Sequence, residues 1–163
     1  MTTILQGSFD ARDLRVAIVA SRFNETIARR LVAGAEDCLT RHGVGPDRVT
    51  IAWVPGAFEL VGVAKRFVES GEVDAVIAIG VVIRGETAHF EYVSGQAMNG
   101  IGALAAAGDI PVTCGILTTE TTEQAADRAG GKMGNKGFEA AAAAIEMAQL
   151  YTQLPKPSLR REL

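Results

Sequence analysis

Several signatures are missing from this chain, and each absence removes a class of function. No GxGxxG follows the first apolar run, which disfavours a dinucleotide cofactor, and no GxxxxGK[ST] is present, which disfavours a nucleoside triphosphate. No GxSxG nucleophile elbow occurs either. Histidine is scarce at two residues, and so is cysteine, also two, with no CxxC pair. Cys38 and Cys114 fall in apolar patterns, one helical and one strand-like, and are expected to be buried reduced thiols rather than metal ligands. No basic run is longer than a pair such as the C-terminal Arg160-Arg161, and the net charge is −3, which argues against nucleic acid as a partner. No apolar run is long enough to cross a bilayer, and the first residues show neither a charged n-region nor an apolar h-region, so no membrane association and a cytoplasmic location are expected.

What is present fits one domain of 163 residues, 48% hydrophobic and 21% charged, with 18 glycines. Four β-rich runs, Arg15 to Ala20, Val49 to Val54, Ala75 to Ile79 and Pro111 to Leu117, alternate with helical patterns. The first helix puts Ile27, Leu31, Ala35 and Cys38/Leu39 on one face, with Ser21 or Asn24 as its cap and Gly43 at its end. The second opens at Ala57-Phe58-Glu59-Leu60 after the Pro55-Gly56 break. The third starts near His89 with Val93, Ala97, Ile101 and Leu104 inward. It carries Gly95, Gly100 and Gly102, each unfavourable by about 1 kcal/mol against alanine, so close approach of another backbone is expected. A short helix ends at Arg128. A long one runs from Phe138 to about Leu150, and its alanine-rich portion, apolar nearly all round, predicts cover by a second subunit. Residues 1–13 read as a frayed terminus or an arm pairing with a sheet edge, its own or a neighbouring subunit's, and residues 152–163 as a loosely ordered tail. Such alternation predicts a three-layer α/β/α sandwich with a four-stranded parallel sheet, flavodoxin-like.

In that architecture, ligands bind outside the carboxyl ends of the strands. The turns there would gather Phe23, Ala57, Phe58, Glu59 and the stretch from Val81 to His89, with Arg128 and Lys136 from later loops. Gly80 to Ala88 is read as a flexible turn between the third strand and the helix at His89, carrying Arg84, Thr87 and free backbone N–H groups. These parts suit a phosphorylated small molecule beside a planar ring, with an imidazole moving protons. A lone histidine opening a helix is more often structural, and a glutamate in a first turn is favoured by the helix dipole, so His89 and Glu59 each carry a structural reading beside the functional one. His42, near a helix C-terminus, is structural.

Four stretches then become specific together. Ser21-Arg22-Phe23-Asn24, Pro55-Gly56-Ala57-Phe58-Glu59, the segment from Gly80-Val81-Val82-Ile83-Arg84-Gly85-Glu86-Thr87 through Ala88-His89-Phe90-Glu91-Tyr92-Val93, and the segment from Arg128-Ala129-Gly130-Gly131 to Lys136-Gly137 resemble those of the 6,7-dimethyl-8-ribityllumazine synthase family in order and spacing. The match runs from about Arg15 to Leu150.

The resemblance implies an enzyme that condenses 5-amino-6-(D-ribitylamino)uracil with 3,4-dihydroxy-2-butanone 4-phosphate, releasing phosphate and water, in the penultimate step of riboflavin biosynthesis. It implies no cofactor and no metal. Carried over, Phe23 would stack on the pyrimidine. Ala57, Phe58, Glu59 and the backbone of Val81, Val82 and Ile83 would hold the ribityl chain and ring edge. Gly85, Glu86 and Thr87 would line the phosphate pocket, Arg128 would neutralise the phosphate, Lys136 would add charge, and His89 would shuttle protons. Three positions depart from the common pattern. Glu86 puts a carboxylate beside the expected phosphate, which is compatible only if its side chain turns away. Cys114 stands beside the pyrimidine where many members carry a larger side chain, often phenylalanine. Val81 replaces a frequent threonine. The family also implies a homo-oligomer, a pentamer or a pentamer-based shell, with riboflavin synthase as a further partner; the lack of an insertion between Gly130 and Gly137 resembles shell-forming members. The competing reading is a weakly catalytic, shell-forming paralogue that binds flavins or lumazines.

Overall fold

The computed structural model describes residues 1–155. Four strands, β1 (Val16–Ser21), β2 (Val49–Val54), β3 (Ala75–Ile83) and β4 (Val112–Thr119), form one parallel sheet in the order β2-β1-β3-β4. This is the flavodoxin-like sandwich expected from the alternation. The helices are α1 (Glu25–Arg41), α2 (Leu60–Ser70), α3 (His89–Ala107), α4 (Thr122–Asp127) and α5 (Lys136–Tyr151). Strand side chains alternate between the two faces of the sheet. Ile18, Ile77 and Ile79 join Leu31 and Leu39 of α1 and Ile145 of α5, while Val19, Val76 and Ala78 join Leu60 and Ala64 of α2 and Ile101 of α3. That double burial explains why β1 and β3 read as continuous apolar runs. Among the described residues no helix is long and apolar enough to cross a membrane.

Several expectations need correction. The third strand does not stop at Ile79. It runs to Ile83 because β4 continues beside it, pairing Gly80 with Ile116 and Ile83 with Thr119. Gly80 is therefore a strand residue, packed so closely that an added Cβ would stand 3.0 Å from Leu60 Cδ1. Neither proposed cap closes α1: Ser21 ends β1, buried, and Asn24, at the N-cap position, makes no side-chain capping bond. Cys38 is buried, but Cys114 is exposed, because β4 is an edge strand with incomplete cover in the single chain; its Sγ lies 3.5 Å from Met98 Sδ.

The alanine-rich α5 is covered by its own chain. Ala140, Ala141, Ala144 and Ala148 are buried against the sheet and α1, and Gly137 meets the Leu31 carbonyl so closely that no Cβ would fit. Small side chains let the two helices approach, so the apolar pattern needs no second subunit to explain it. Residues 6–11 are not frayed and pair with no sheet edge of their own chain: Gln149 donates to Asp10 O, Gln153 donates to Gln6 O, and buried Ala11 donates to His42 O. The same Gln153 contact ties down the start of the segment after α5; the rest of the expected loose tail, from Lys156, lies outside the described residues. The α3 glycines do not meet another backbone. Gly100 faces the Val61 side chain, while Gly95 and Gly102 face open space in the single chain. A small hairpin, β5 (Ala129–Gly131) with β6 (Gly134–Asn135), was not foreseen, since three glycines in seven residues carry no strand propensity.

Candidate active site

The sheet's strand order reverses between β1 and β3, and ligand crevices open at such a switch point. β1 pairs with β3 only as far as Ala20 beside Ile79, so β3 runs four residues past the last paired position. Backbone groups in a parallel strand alternate sides. The N–H groups of Val76 and Arg84 point to the β4 side, bonding Pro111 O and Thr119 O, which directs Val81 and Ile83 the other way. The Val81 carbonyl accepts from Asn24 Nδ2 at 3.1 Å, and Ile83 turns its N–H and C=O into the same space.

A cavity of about 530 Å³ occupies this space, a size that suits a small organic ligand. Its walls come from four places in the chain. Phe23 stands at the β1 exit, 71% exposed and so a free aromatic face rather than a lid on the core. The turn after β2 contributes Gly56 to Glu59, where the Glu59 carboxylate accepts from the Gly56 N–H at 2.9 Å and holds the turn. Val81, Val82 and Ile83 form the floor, and Gly85, Thr87, His89, Phe90 and Val93 close the far side. The local role foreseen for Glu59 is thus occupied on one oxygen, while the residue also lines the cavity.

His89 is the first residue of α3, exposed toward the cavity, and its N–H donates weakly to Thr87 Oγ1 at 3.4 Å. Gly85 and Thr87 lie at the positive end of a 19-residue helix, where anions are favoured. Glu86 between them is exposed and is not part of the cavity wall. Val81 is almost completely buried, with its side chain in the core on the α1 side, leaving its main chain for the cavity.

Besides Glu86, three residues of the sequence-derived set stand apart from this cavity. Cys114 pairs with Ala78 midway along β3, beside Met98. Arg128 caps α4 at its C-terminus and donates from Nη1 to Gln124 O at 3.0 Å; among the described residues no carboxylate pairs with it. Lys136 opens α5 and is paired with Glu139 at 2.6 Å. Sequence reasoning in turn missed Gly56, Phe90 and Val93 as wall residues. The helical spacing of His89 and Val93, four apart, was the available signal.

The family described as 6,7-dimethyl-8-ribityllumazine synthase matches residues 13–152. A 6,7-dimethyl-8-ribityllumazine synthase of Chlorobium limicola is 52% identical over 149 residues, covering 91% of this chain and 96% of that protein. Synthases of the same name from Chlorobaculum tepidum and Chloroherpeton thalassium are each 51% identical over 150 residues, covering 92% of this chain and 97% of theirs.

Proposed function

The chain belongs to the 6,7-dimethyl-8-ribityllumazine synthase family, and we propose that its β1/β3 cavity is where 5-amino-6-(D-ribitylamino)uracil condenses with 3,4-dihydroxy-2-butanone 4-phosphate. The protein is an enzyme of riboflavin biosynthesis. The observation that carries the site assignment is the convergence of three of the four motif stretches on one cavity at the sheet's switch point. The pyrimidine stacks on the free face of Phe23, and its ring edge and ribityl chain meet the main chain of Val81 to Ile83 and the Ala57-Phe58-Glu59 turn. The phosphate lies by Gly85 and Thr87 at the start of α3, where backbone dipoles favour it. His89, between the two substrates, moves the protons that amine addition to a ketone and loss of phosphate both require. Holding the two reactants in one cavity supplies much of the remaining acceleration. The chemistry is non-redox, and the site as proposed uses no cofactor.

Cys114, Arg128 and Lys136 belong to the site only if a second copy brings them to it, since they stand off the cavity of their own chain. An oligomer, a pentamer or a shell of pentamers, is supported by the apolar surface one chain leaves open: Tyr92 and Met98 on α3, and Ile4, Leu5 and Phe9 on the N-terminal segment. Arg128, without a carboxylate partner among the described residues, would then face the neighbour's phosphate. Riboflavin synthase, which consumes the product, is the proposed further partner, and a cytoplasmic setting fits the two free thiols. The test is direct: purified protein given both substrates, without added metal or nucleotide, yields the lumazine by mass and absorbance. No product above the uncatalysed background refutes the reading.

A further inference from the structure

Arg84 is the one cation inside the motif stretch, and the assignments above leave it without a task. A phosphate ligand is the obvious role for it, but its geometry argues against that. The guanidinium donates from Nε to Glu120 at 2.7 Å and from Nη1 to Glu91, and lies 4.5 Å above the Phe90 ring. Two carboxylates outweigh its single charge, so it offers no net positive field to an anion. Glu91 is in turn held below its ordinary titration range by hydrogen bonding to Arg84.

The contacts link three segments. Arg84 follows β3, with its own N–H donating to Thr119 O at 2.9 Å; Phe90 and Glu91 lie in the first turn of α3; Glu120 follows β4. Between the first two runs the loop Gly85 to Ala88, exposed along its length, with open space around Gly85. The helix it enters has no side-chain cap, because Ala88 holds the N-cap position. An uncapped first turn frays, and this one begins with His89. We propose that Arg84 is a positioning residue for this active site: its clamp on Glu91, Glu120 and Phe90 replaces the missing cap and fixes the Gly85–Thr87 loop and His89 against the cavity. Arginine suits the task because its planar fork serves two carboxylates while its face covers a ring, a combination lysine does not reproduce.

This inference rests on the proposed condensation for its kinetic part, and the test separates the two. Arg84→Ala and Arg84→Lys are compared with wild type by steady-state kinetics and by amide hydrogen exchange. In Arg84→Ala, kcat falls on the order of tenfold to a hundredfold, as expected when a reacting group is displaced by about 1 Å. KM for the pyrimidine changes little, since Phe23 and the Ala57 turn are untouched, and KM for the phosphorylated substrate rises. Exchange accelerates about tenfold in residues 85–92 and stays at the wild-type level in β1, α1 and α5. Arg84→Lys recovers only part of either loss. An unchanged kcat, or faster exchange spread evenly over the chain, overturns the positioning role. If wild type itself makes no lumazine, the reaction assignment fails, and exchange alone decides whether the clamp orders this loop.

Discussion

The side-chain amide of Asn24 donates to the carbonyl of Val81, 57 residues away, at 3.1 Å. Asn24 is also the only non-glycine residue at positive φ among the described residues, with φ 59°. It turns the chain sharply out of β1 and into α1, so that one residue sets both the exposure of Phe23 and the position of the β3 overshoot.

Replacing Asn24 therefore separates two effects. Asn24→Ala loses both the amide bond and the tolerance for a left-handed backbone, a cost of about 2 kcal/mol. Asn24→Gly keeps the backbone conformation and loses only the bond, about 1 kcal/mol. Thermal unfolding should rank wild type above glycine above alanine, and KM for the pyrimidine should rise in the same order. Equal destabilisation by the two would remove the backbone argument.

Gly80 is the second test of the cavity floor. An added Cβ would sit 3.0 Å from Leu60 Cδ1 and 3.4 Å from Ser21 Oγ, and Leu60 is fully buried directly after the Ala57–Glu59 turn. Gly80→Ala should cost about 1–3 kcal/mol by overpacking and should push that turn outward, weakening pyrimidine binding. Gly62→Ala, with nothing within 4 Å of the new Cβ, is the control and should leave stability unchanged or raise it. Calorimetry on the pair checks both; equal melting shifts would contradict the packing assigned to Gly80.

The two positions show what the sequence could and could not reveal. Layer order, helix faces and strand count in the main sheet were readable because apolar periodicity is a local property: Leu31, Cys38 and Leu39 face inward as their spacing required. How far β3 extends was not readable, because Gly80 looks like a turn residue until the neighbouring strand Val112–Thr119 is in place beside it. The same holds for α5, whose alanines suggested a missing subunit when the cover was α1. In the site, Phe23, Ala57 and His89 are brought together by topology, whereas Arg128 and Lys136, on later elements, are left off the cavity of their own chain. Sequence order does not say which copy a loop faces.

Thiol chemistry tests that last point. Burial, with Asp37 nearby, pushes the Cys38 thiol up to about 11, so it should resist alkylation until the chain unfolds. Cys114 is open in the single chain. If a second copy brings Cys114 to the cavity, alkylation should be fast in dissociated subunits and slow in the assembly, and slower still with the pyrimidine bound. Mass-resolved labelling reads all three states. Identical rates in subunit and assembly would rule out that placement.

Acid should release the Arg84 clamp in a defined direction. Glu91 titrates below its ordinary 4.5 because Arg84 stabilises its charged form. A depressed carboxyl contributes its stabilisation above the unfolded value and loses it as pH falls through the folded one. The Glu91 carboxyl signal, followed by NMR, should thus titrate below 4.5 in wild type and return toward 4.5 in Arg84→Ala. Titration at the same pH in both proteins would mean that the ion pair is absent in solution.

Side-by-side turnover of wild type and His89→Ala tests the central claim most directly, with both substrates present and lumazine formation followed from the first seconds. The predicted result is rapid product formation by wild type and a rate lower by about tenfold or more in the variant, with pyrimidine affinity retained, as expected when a positioned proton carrier is removed. Equal rates in the two proteins would show that the proton transfers run without His89, and a wild-type rate no faster than the uncatalysed reaction would contradict the account at its root.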